Sequence, residues 1–317
     1  MKVLLSTRLP QEGFKELKEN FEVIMPEQDM FTREEIKKLL PHFDAFIPTF
    51  QMKVDKEILD IASQKVKIIA NYGVGYNNID VDYATQCGII VTNTPDPVIE
   101  PTAEMTFALM LAAARHIPEC DRKLRIPGGL KWGVMENLGL SLYGKTLGII
   151  GMGRIGQAVA RRGKAFGMNI VYHNRSRLPQ EIEAAFQATR LNIDELVQTA
   201  DVISLHTPLT EETKHLINYE KFKLMKSQTI LINTARGPVI NEKDLVKALS
   251  NKMIYAAGLD VFEYEPEISK ELLTMDNVVL TPHNGTATTD ARNEMSRFAS
   301  QNIIRYFAGR KDITRVN

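Results

Sequence analysis

Two α/β units, each built on a doubly wound parallel sheet, are the fold class the sequence predicts, and three observations predict it. Short β-branched runs alternate with amphipathic helical stretches along the chain. The runs are almost continuously apolar, without polar alternation, as suits strands buried on both faces of a parallel sheet. The 317 residues, 44% of them hydrophobic and 25% charged, are enough for two domains of about 150 residues with separate cores.

In the first half the strand candidates are KVLLS, FEVIM, FDAFI, VKIIA and GIIVT, with helices expected near 14–20, 32–40, 56–63 and 81–86. The second half offers TLGIIG, NIVYH, DVISLHT, TILINTA, IYAAGLDV and NVVLTPH, with helices near 155–166, 193–199, 218–224 and 242–249. This alternation implies βαβ units with right-handed crossovers. Between the halves, TPDPVIEP at 94–101 is punctuated by proline, and the chain is expected to leave the first sheet there. A long helix over 102–115 follows, then a glycine-bearing stretch over 125–139, before strand order resumes at Thr146. A final helix over 289–307 is expected to return to the first domain. The expected boundaries are therefore 1–99 plus 288–317 for a discontinuous outer domain and 100–287 for an inner one. The crevice between them is the expected ligand site.

Charge and cysteine content exclude several functional classes. The 39 basic and 39 acidic residues cancel, so no global field attracts nucleic acid or an anionic membrane. Cys87 and Cys120 cannot make a disulfide framework, no CxxC or Cys/His cluster suggests zinc, and no metal is expected. The N-terminal MKVLLSTRLP is too short in apolar residues for a signal peptide, whose apolar region needs ~7–15. The run FALMLAAA at 107–114 falls far short of the ~18–20 residues that span a bilayer. The cytoplasm is the expected compartment.

The most informative stretch is 146–177, TLGIIGMGRIGQAVARRGKAFGMNIVYHNRSR. Gly151, Gly153 and Gly156 form GxGxxG directly after a strand and at the opening of an amphipathic helix, the context that gives the motif meaning. Gly151 allows the tight turn, Gly153 the close approach of a pyrophosphate, and Gly156 close helix–sheet packing. Arg154 and Ile155 begin the helix, whose free N–H groups and partial positive charge favour phosphate. A Rossmann-type dinucleotide site is the expectation, and a glycine-rich turn without a ligand is the plain alternative. At the end of the second strand, an acidic residue usually accepts from the ribose 2′-OH of the unphosphorylated cofactor. Here stand His173, Asn174, Arg175, Ser176 and Arg177. Two arginines and a serine suit a 2′-phosphate, so NADP(H) is expected in preference to NAD(H). A solvated basic turn is the other reading.

Four more segments join the glycine motif in order: NYGVGYNNID before it, and LINTARGPVIN, AAGLDVFEYEP and VVLTPHNG after it. The set resembles the D-isomer-specific 2-hydroxyacid dehydrogenase family, and the likeness covers essentially the whole chain. The resemblance implies a flavodoxin-like substrate domain, a Rossmann cofactor domain and hydride transfer to a small 2-oxo acid. Such a reduction needs a hydride at the carbonyl carbon, a proton at its oxygen and a cation for the carboxylate. By resemblance, His283 is the acid/base, a role suited to an imidazole because its ordinary pKa of ~6.5 lies near working pH. Glu265 is the carboxylate that orients the imidazole and favours its protonated form. Arg236 binds the substrate carboxylate and polarises the carbonyl. Each also has a bland reading: a structural hydrogen-bonder, a turn residue before Pro266, and a surface ion-pair partner.

The resemblance further places Gly73, Val74 and Gly75 in a loop whose N–H groups receive the substrate carboxylate, an anion nest in kind. It places Thr102 and Thr234 among the cofactor contacts, with Thr102 near the nicotinamide end. Asp260 becomes the acceptor for the carboxamide. His206, Thr207 and Pro208 line the adenosine side, although His206 reads equally well as a hydrogen-bonded loop residue. His42, His116, His173 and His215 carry no motif and receive no catalytic role. Two departures from the family pattern, Asn77 and Pro101, bear on substrate preference.

Within the family, LKWGVMENLGLSLYGKTLGIIGMGRIGQAVARR looks most like glyoxylate/hydroxypyruvate reductases and their 2-ketogluconate-reducing relatives. Phosphoglycerate or D-lactate type dehydrogenases are the enzymatic alternatives, and a dinucleotide-sensing regulatory binding protein is the alternative of another class. A homodimer is expected by resemblance and because Phe107, Leu109, Met110 and Leu111 make the 102–115 helix apolar nearly all round. Trp132 reads either as a residue reaching a partner's site or as a core or hinge tryptophan.

Overall fold

A computed structural model describes residues 1–317 and forms a strand within every strand candidate named above. In the first unit, residues 1–101 with 286–317, the strands are β1 (Lys2–Leu5), β2 (Glu22–Ile24), β3 (Ala45–Ile47), β4 (Ile68–Ala70) and β5 (Ile90–Thr92). They form one parallel sheet in the order β2-β1-β3-β4-β5, the flavodoxin-like doubly wound arrangement. β3 and β4 are buried along their whole length, which is why neither shows polar alternation. The helix Thr289–Phe307 packs here through small residues. Ser300 Oγ donates to the Gly13 carbonyl at 3.1 Å, and the Tyr72 hydroxyl donates to the Arg292 carbonyl at 2.6 Å.

In the second unit, residues 102–285, the strands are β6 (Thr146–Ile150), β7 (Asn169–His173), β8 (Thr189–Arg190), β9 (Val202–Leu205), β10 (Ile230–Asn233), β11 (Ala256–Leu259) and β12 (Val278–Leu280). All pair in parallel, in the order β12-β11-β10-β9-β6-β7-β8. The chain winds outward from β6 through β7 to β8, then returns to β9 on the other side of β6. The loops after β6 and β9 therefore part at the carboxyl ends of adjacent strands, the switch point where open α/β sheets bind ligands.

Four elements differ from the sequence expectation. The helix expected at 102–115 runs Ile99–Ala114, because Pro101 in a first turn forfeits an N–H that would be unpaired in any case. Two-residue β8 and the helix Gln180–Phe186 have no fully buried residue and so leave no apolar pattern to read. The helix Ile117–Leu124 is likewise unburied and starts after His116 in the left-handed region at φ 54°. The dimer argument from the long helix also needs correction. Phe107, Leu109 and Met110 are already buried within one chain, for example Phe107 against Phe166 with ring centroids 5.3 Å apart. No helix is long and apolar enough to cross a membrane.

Gly13 marks the tightest helix contact of the first unit: a Cβ there would lie 2.3 Å from the Asn293 carbonyl oxygen and 2.6 Å from the Arg297 nitrogen. Gly13→Ala should cost about 1–3 kcal/mol through overpacking, read as a lower urea midpoint with the slope unchanged.

Candidate active site

The glycine loop after β6 is built by sterics. Gly151 has φ +94°, and a Cβ on it would sit 2.7 Å from the His206 carbonyl and 2.8 Å from Thr207 N. Gly156, in the helix Arg154–Ala165, would carry a Cβ 2.5 Å from the Gly151 carbonyl oxygen. Gly153, the N-cap, is different: a Cβ there would meet nothing within 4 Å. Protein packing therefore demands glycine at 151 and 156, whereas at 153 the absent side chain leaves open space before a helix N-terminus. Arg154 and Ile155 form the first turn of that helix. Beside the loop, Thr207 Oγ1 is buried without a hydrogen-bond partner. Open space before a helix N-terminus and an orphaned hydroxyl fit a dinucleotide pyrophosphate.

The turn after β7 shows more than its residue types. Asn174 Oδ1 accepts from Met152 N–H at 2.6 Å, so Asn174 braces the glycine loop. Arg177 directs its fork at Glu183, Nε to Oε1 at 3.0 Å and Nη2 to Oε2 at 2.9 Å. Glu183 also accepts from the buried Tyr172 hydroxyl at 2.5 Å. The sequence reading counted no carboxylate at this turn, yet the fold brings one from the helix Gln180–Phe186. Arg177 neutralises it; Arg175, Ser176 and Arg177 are all exposed, and of these Arg177 is the one spent on that carboxylate. Arg190 on β8 supports the turn by donating Nη2 to the carbonyls of Asn174 and Arg175, each at 3.2 Å.

After β9, His206 Nε2 lies 2.7 Å from Ser204 Oγ. Burial pushes its imidazole down to about 3, so the ring is neutral at working pH. Of its two sequence readings, the hydrogen-bonded loop residue describes its side chain. The Pro208 carbonyl accepts from Thr213 Oγ1 at 2.7 Å, which closes the same loop.

The remaining candidates gather at the ends of β10, β11 and β12. Asp260, 1% exposed, follows β11. Its carboxylate accepts from Thr281 Oγ1 at 2.6 Å, Asn284 N–H at 2.9 Å and Gly285 N–H at 2.8 Å. Its own carbonyl accepts from His283 N–H at 2.8 Å. Burial raises the Asp260 carboxyl above its ordinary range despite these donors. The 281–285 loop is thus wrapped around one acidic side chain. It holds His283 at φ 50°, a conformation that costs a non-glycine residue about 1 kcal/mol or more. In that posture His283 Nδ1 meets Glu265 Oε2 at 2.8 Å. Glu265 Oε1 in turn accepts from Phe262 N–H at 2.9 Å. Burial pushes the Glu265 carboxyl up, but His283, the Phe262 amide and the charge of Arg236 together hold it below the usual carboxylate range.

Arg236 lies in the loop after β10, its carbonyl held by Asn233 Nδ2 at 3.0 Å and its Nη1 donating to the Ala235 carbonyl at 2.6 Å. No carboxylate forms an ion pair with it. Burial works against its charge and Glu265 works for it. A partly buried guanidinium with unspent donors is a place for an anion. Thr234 Oγ1 pairs with Thr106 Oγ1 at 2.8 Å, and Thr106 also donates to the Thr102 carbonyl at 2.8 Å. Thr102 stands near Gly285 and so beside Asp260.

In the first unit, the 73–75 loop is pinned through its carbonyls: Asn71 Nδ2 donates to Gly73 O at 3.2 Å and Gly75 O at 2.9 Å, and Asn93 Nδ2 to Val74 O at 2.9 Å. The three-amide nest needs correction, because Gly73 N–H donates to the Asn71 carbonyl at 3.0 Å. Val74 and Gly75 keep N–H groups directed to no protein acceptor.

Sequence reasoning passed over Glu183, Arg190, Glu242, Glu263 and His215. None matched a motif position, and each acts through a partner that the sequence does not mark. Glu263 stands two residues from Glu265 in FEYEP, where residue type alone cannot rank the two glutamates. No cluster of three or more His, Cys, Asp or Glu side chains could hold a metal ion.

Comparison with known proteins places these residues in context. The family model for D-isomer specific 2-hydroxyacid dehydrogenase, NAD binding domain, matches residues 107–285. A glyoxylate reductase of Thermococcus onnurineus is 44% identical over 321 aligned positions, spanning 100% of this chain and 96% of that protein. The crystal structure of a glyoxylate reductase from Paecilomyes thermophila superposes with TM-score 0.89 at 34% identity, covering 100% of this chain and 98% of that one. An NADPH-dependent glyoxylate/hydroxypyruvate reductase from Sinorhizobium meliloti, solved with NADP and malonate, gives TM-score 0.86 at 32% identity over 99% of this chain and 96% of that one.

Two measurements test this geometry. Gly153→Ala should keep the thermal midpoint within about 2 °C, since nothing opposes the methyl, yet weaken dinucleotide binding about tenfold or more by titration calorimetry. For His206, the unfolded chain takes a proton below 6.5 and the folded chain only near about 3. Stability is therefore lost as pH falls through that window, by at most about 1.4 kcal/mol per pH unit. His206→Gln should flatten this part of the urea-unfolding pH profile.

Proposed function

The chain belongs to the D-isomer specific 2-hydroxyacid dehydrogenase family of NAD(P)-dependent oxidoreductases, and on that premise we propose that it reduces a small 2-oxo acid such as glyoxylate or hydroxypyruvate, preferring NADPH to NADH. The observation that carries this reading is Arg236: a guanidinium without an ion-pair partner, near a carboxylate that grips an imidazole at 2.8 Å. Cation, proton donor and orienting carboxylate are what reduction of a 2-oxo acid requires beyond its hydride.

Residues 102–285 serve as the cofactor domain, and residues 1–101 with 286–317 as the substrate domain. The Gly151–Gly156 loop and the helix behind it would hold the pyrophosphate, Thr207 would add its hydroxyl, and Thr102, Thr234 and Asp260 would meet the nicotinamide end. Asp260 has already spent three acceptor positions on its own loop, which leaves about one of a carboxylate's four for a carboxamide N–H. Arg175 and Ser176 would bind a 2′-phosphate. When bound, the dinucleotide supplies the hydride.

The protein's own residues do the rest. Arg236 binds the substrate carboxylate with one edge of its fork and polarises the 2-oxo group, favouring negative charge as it develops on that oxygen. His283, held through Nδ1 by Glu265, delivers a proton from Nε2 to the oxygen. Glu265, ionised throughout the working range because its carboxyl is held low, fixes the ring orientation and offsets the imidazolium charge. In the oxidative direction His283 Nε2 takes the hydroxyl proton.

We also propose a homodimer. Ile126, Trp132, Val134, Met135, Leu138 and Tyr143 are 58–93% exposed along one irregular segment, more apolar surface than isolated exposed side chains account for. A second copy of the chain would cover it.

Absorbance at 340 nm tests the reading, with NADPH and NADH compared against glyoxylate, hydroxypyruvate, pyruvate and 2-ketogluconate. His283→Ala should lower kcat about 10²–10⁴-fold with cofactor affinity kept. Arg236→Lys should raise the KM for the acid, because a point charge replaces a fork. A preference for NADH would overturn the cofactor half alone. Sedimentation at a single-chain mass would overturn the dimer.

A further inference from the structure

Behind the proposed site lies a buried pair of glutamates that the chemistry above does not use. Glu242 N–H donates to Glu263 Oε2 at 2.9 Å, and Glu263 N–H donates to Glu242 Oε2 at 2.9 Å. Glu242 Oε1 also accepts from Ser269 N–H at 3.1 Å and from Ser269 Oγ at 2.5 Å. Glu263 Oε1 meets His215 Nε2 at 2.6 Å. Glu242 is 3% exposed and the Glu263 side chain 9%.

These bonds tie together the two segments that carry the site. Glu242 opens the helix Glu242–Ser250 at the end of the loop that begins with Arg236. Glu263 precedes Glu265 by two residues. His215 reaches the first segment again, its N–H donating to the Pro238 carbonyl at 2.8 Å. The segments also touch directly. A Cβ on Gly237 would lie 1.8 Å from the Phe262 carbonyl oxygen and 2.5 Å from Glu263 N. Phe262 N–H is the group that holds Glu265 Oε1.

Burying two carboxylates side by side is costly, and apolar side chains would join two loops at less expense. Reciprocal hydrogen bonds add what apolar contact lacks, a fixed distance and direction. Reaction geometry is sensitive to displacements of about 1 Å. We infer that Glu263, clasped with Glu242, is a positioning residue that sets the spacing between Arg236 and the Glu265–His283 pair. The inference rests on the reading of those three residues given above.

Glu263→Ala removes the acceptor for Glu242 N–H and His215. It should lower kcat about 10- to 100-fold and raise the KM of the 2-oxo acid, while NADPH affinity by fluorescence titration stays within about twofold. Glu263→Gln can accept from Glu242 N–H with its carbonyl and keeps a polar atom within reach of the His215 ring, so it should restore kcat to within about threefold of the unsubstituted enzyme. Hydrogen–deuterium exchange should rise in both 236–242 and 262–269 of Glu263→Ala and stay unchanged over 146–166. Glu263→Asp, which shortens the reach by a methylene, takes the place of the alanine variant if that variant fails to fold.

Unchanged kcat in Glu263→Ala overturns the inference. So does equal impairment of the Gln variant, parallel loss of NADPH affinity, or faster exchange in only one of the two segments. If the unsubstituted protein reduces no 2-oxo acid, the reading of the active site falls instead. The exchange result by itself then decides whether the clasp couples the two segments.

Discussion

The carboxylate of Asp260 is the point on which the candidate site hangs. It is buried at the end of β11, where an unsatisfied charge would be costly, and it has donors only because the 281–285 loop folds back over it. That folding puts His283 in a left-handed backbone conformation that a histidine would not choose in isolation. It also brings the Nδ1 edge of His283 against Glu265. The orientation of the imidazole is therefore decided by a neighbouring strand end. Motif residues usually read as ligand contacts can be scaffold first: three of the acceptor positions on Asp260 serve its own loop.

The same division between scaffold and site runs through the glycine motif. Gly151 and Gly156 are required by contacts with the protein's own backbone, whereas Gly153 borders open space. The three glycines are alike in the sequence and differ in surroundings: Gly151 meets the chain after β9, Gly156 meets Gly151 itself, and Gly153 meets neither. At the neighbouring turn, Asn174 braces the loop and Arg177 is committed to Glu183. The charge offered to a ligand there is smaller than the residue types suggest.

Electrostatic balance within the site also follows from the fold. Arg236 is left without an ion pair although Glu265 lies near enough for their charges to interact, because Glu265 is already held by His283 and by the Phe262 amide. Three chain segments separated by tens of residues share this small volume, and each limits what the others can do. Glu242 and Glu263 hold two of these segments together from behind.

The sequence by itself determined every strand but the two-residue β8, the parallel class of both sheets and the dinucleotide loop. Buried parallel strands are continuously apolar, and a tight βα turn needs glycine at fixed spacing, so both leave local patterns. It also brought His283, Glu265 and Arg236 forward as candidates through ordered motifs. Only the tertiary structure decided that Gly73 N–H is already used, that Glu183 sits at the basic turn, and that the apolar face of the long helix is covered within its own chain. It alone singled out Glu263 and His215 from residues of the same type. The Glu263 pairings with Glu242 and His215 join residues far apart in the chain, and such a pairing leaves no periodicity in either partner's neighbourhood.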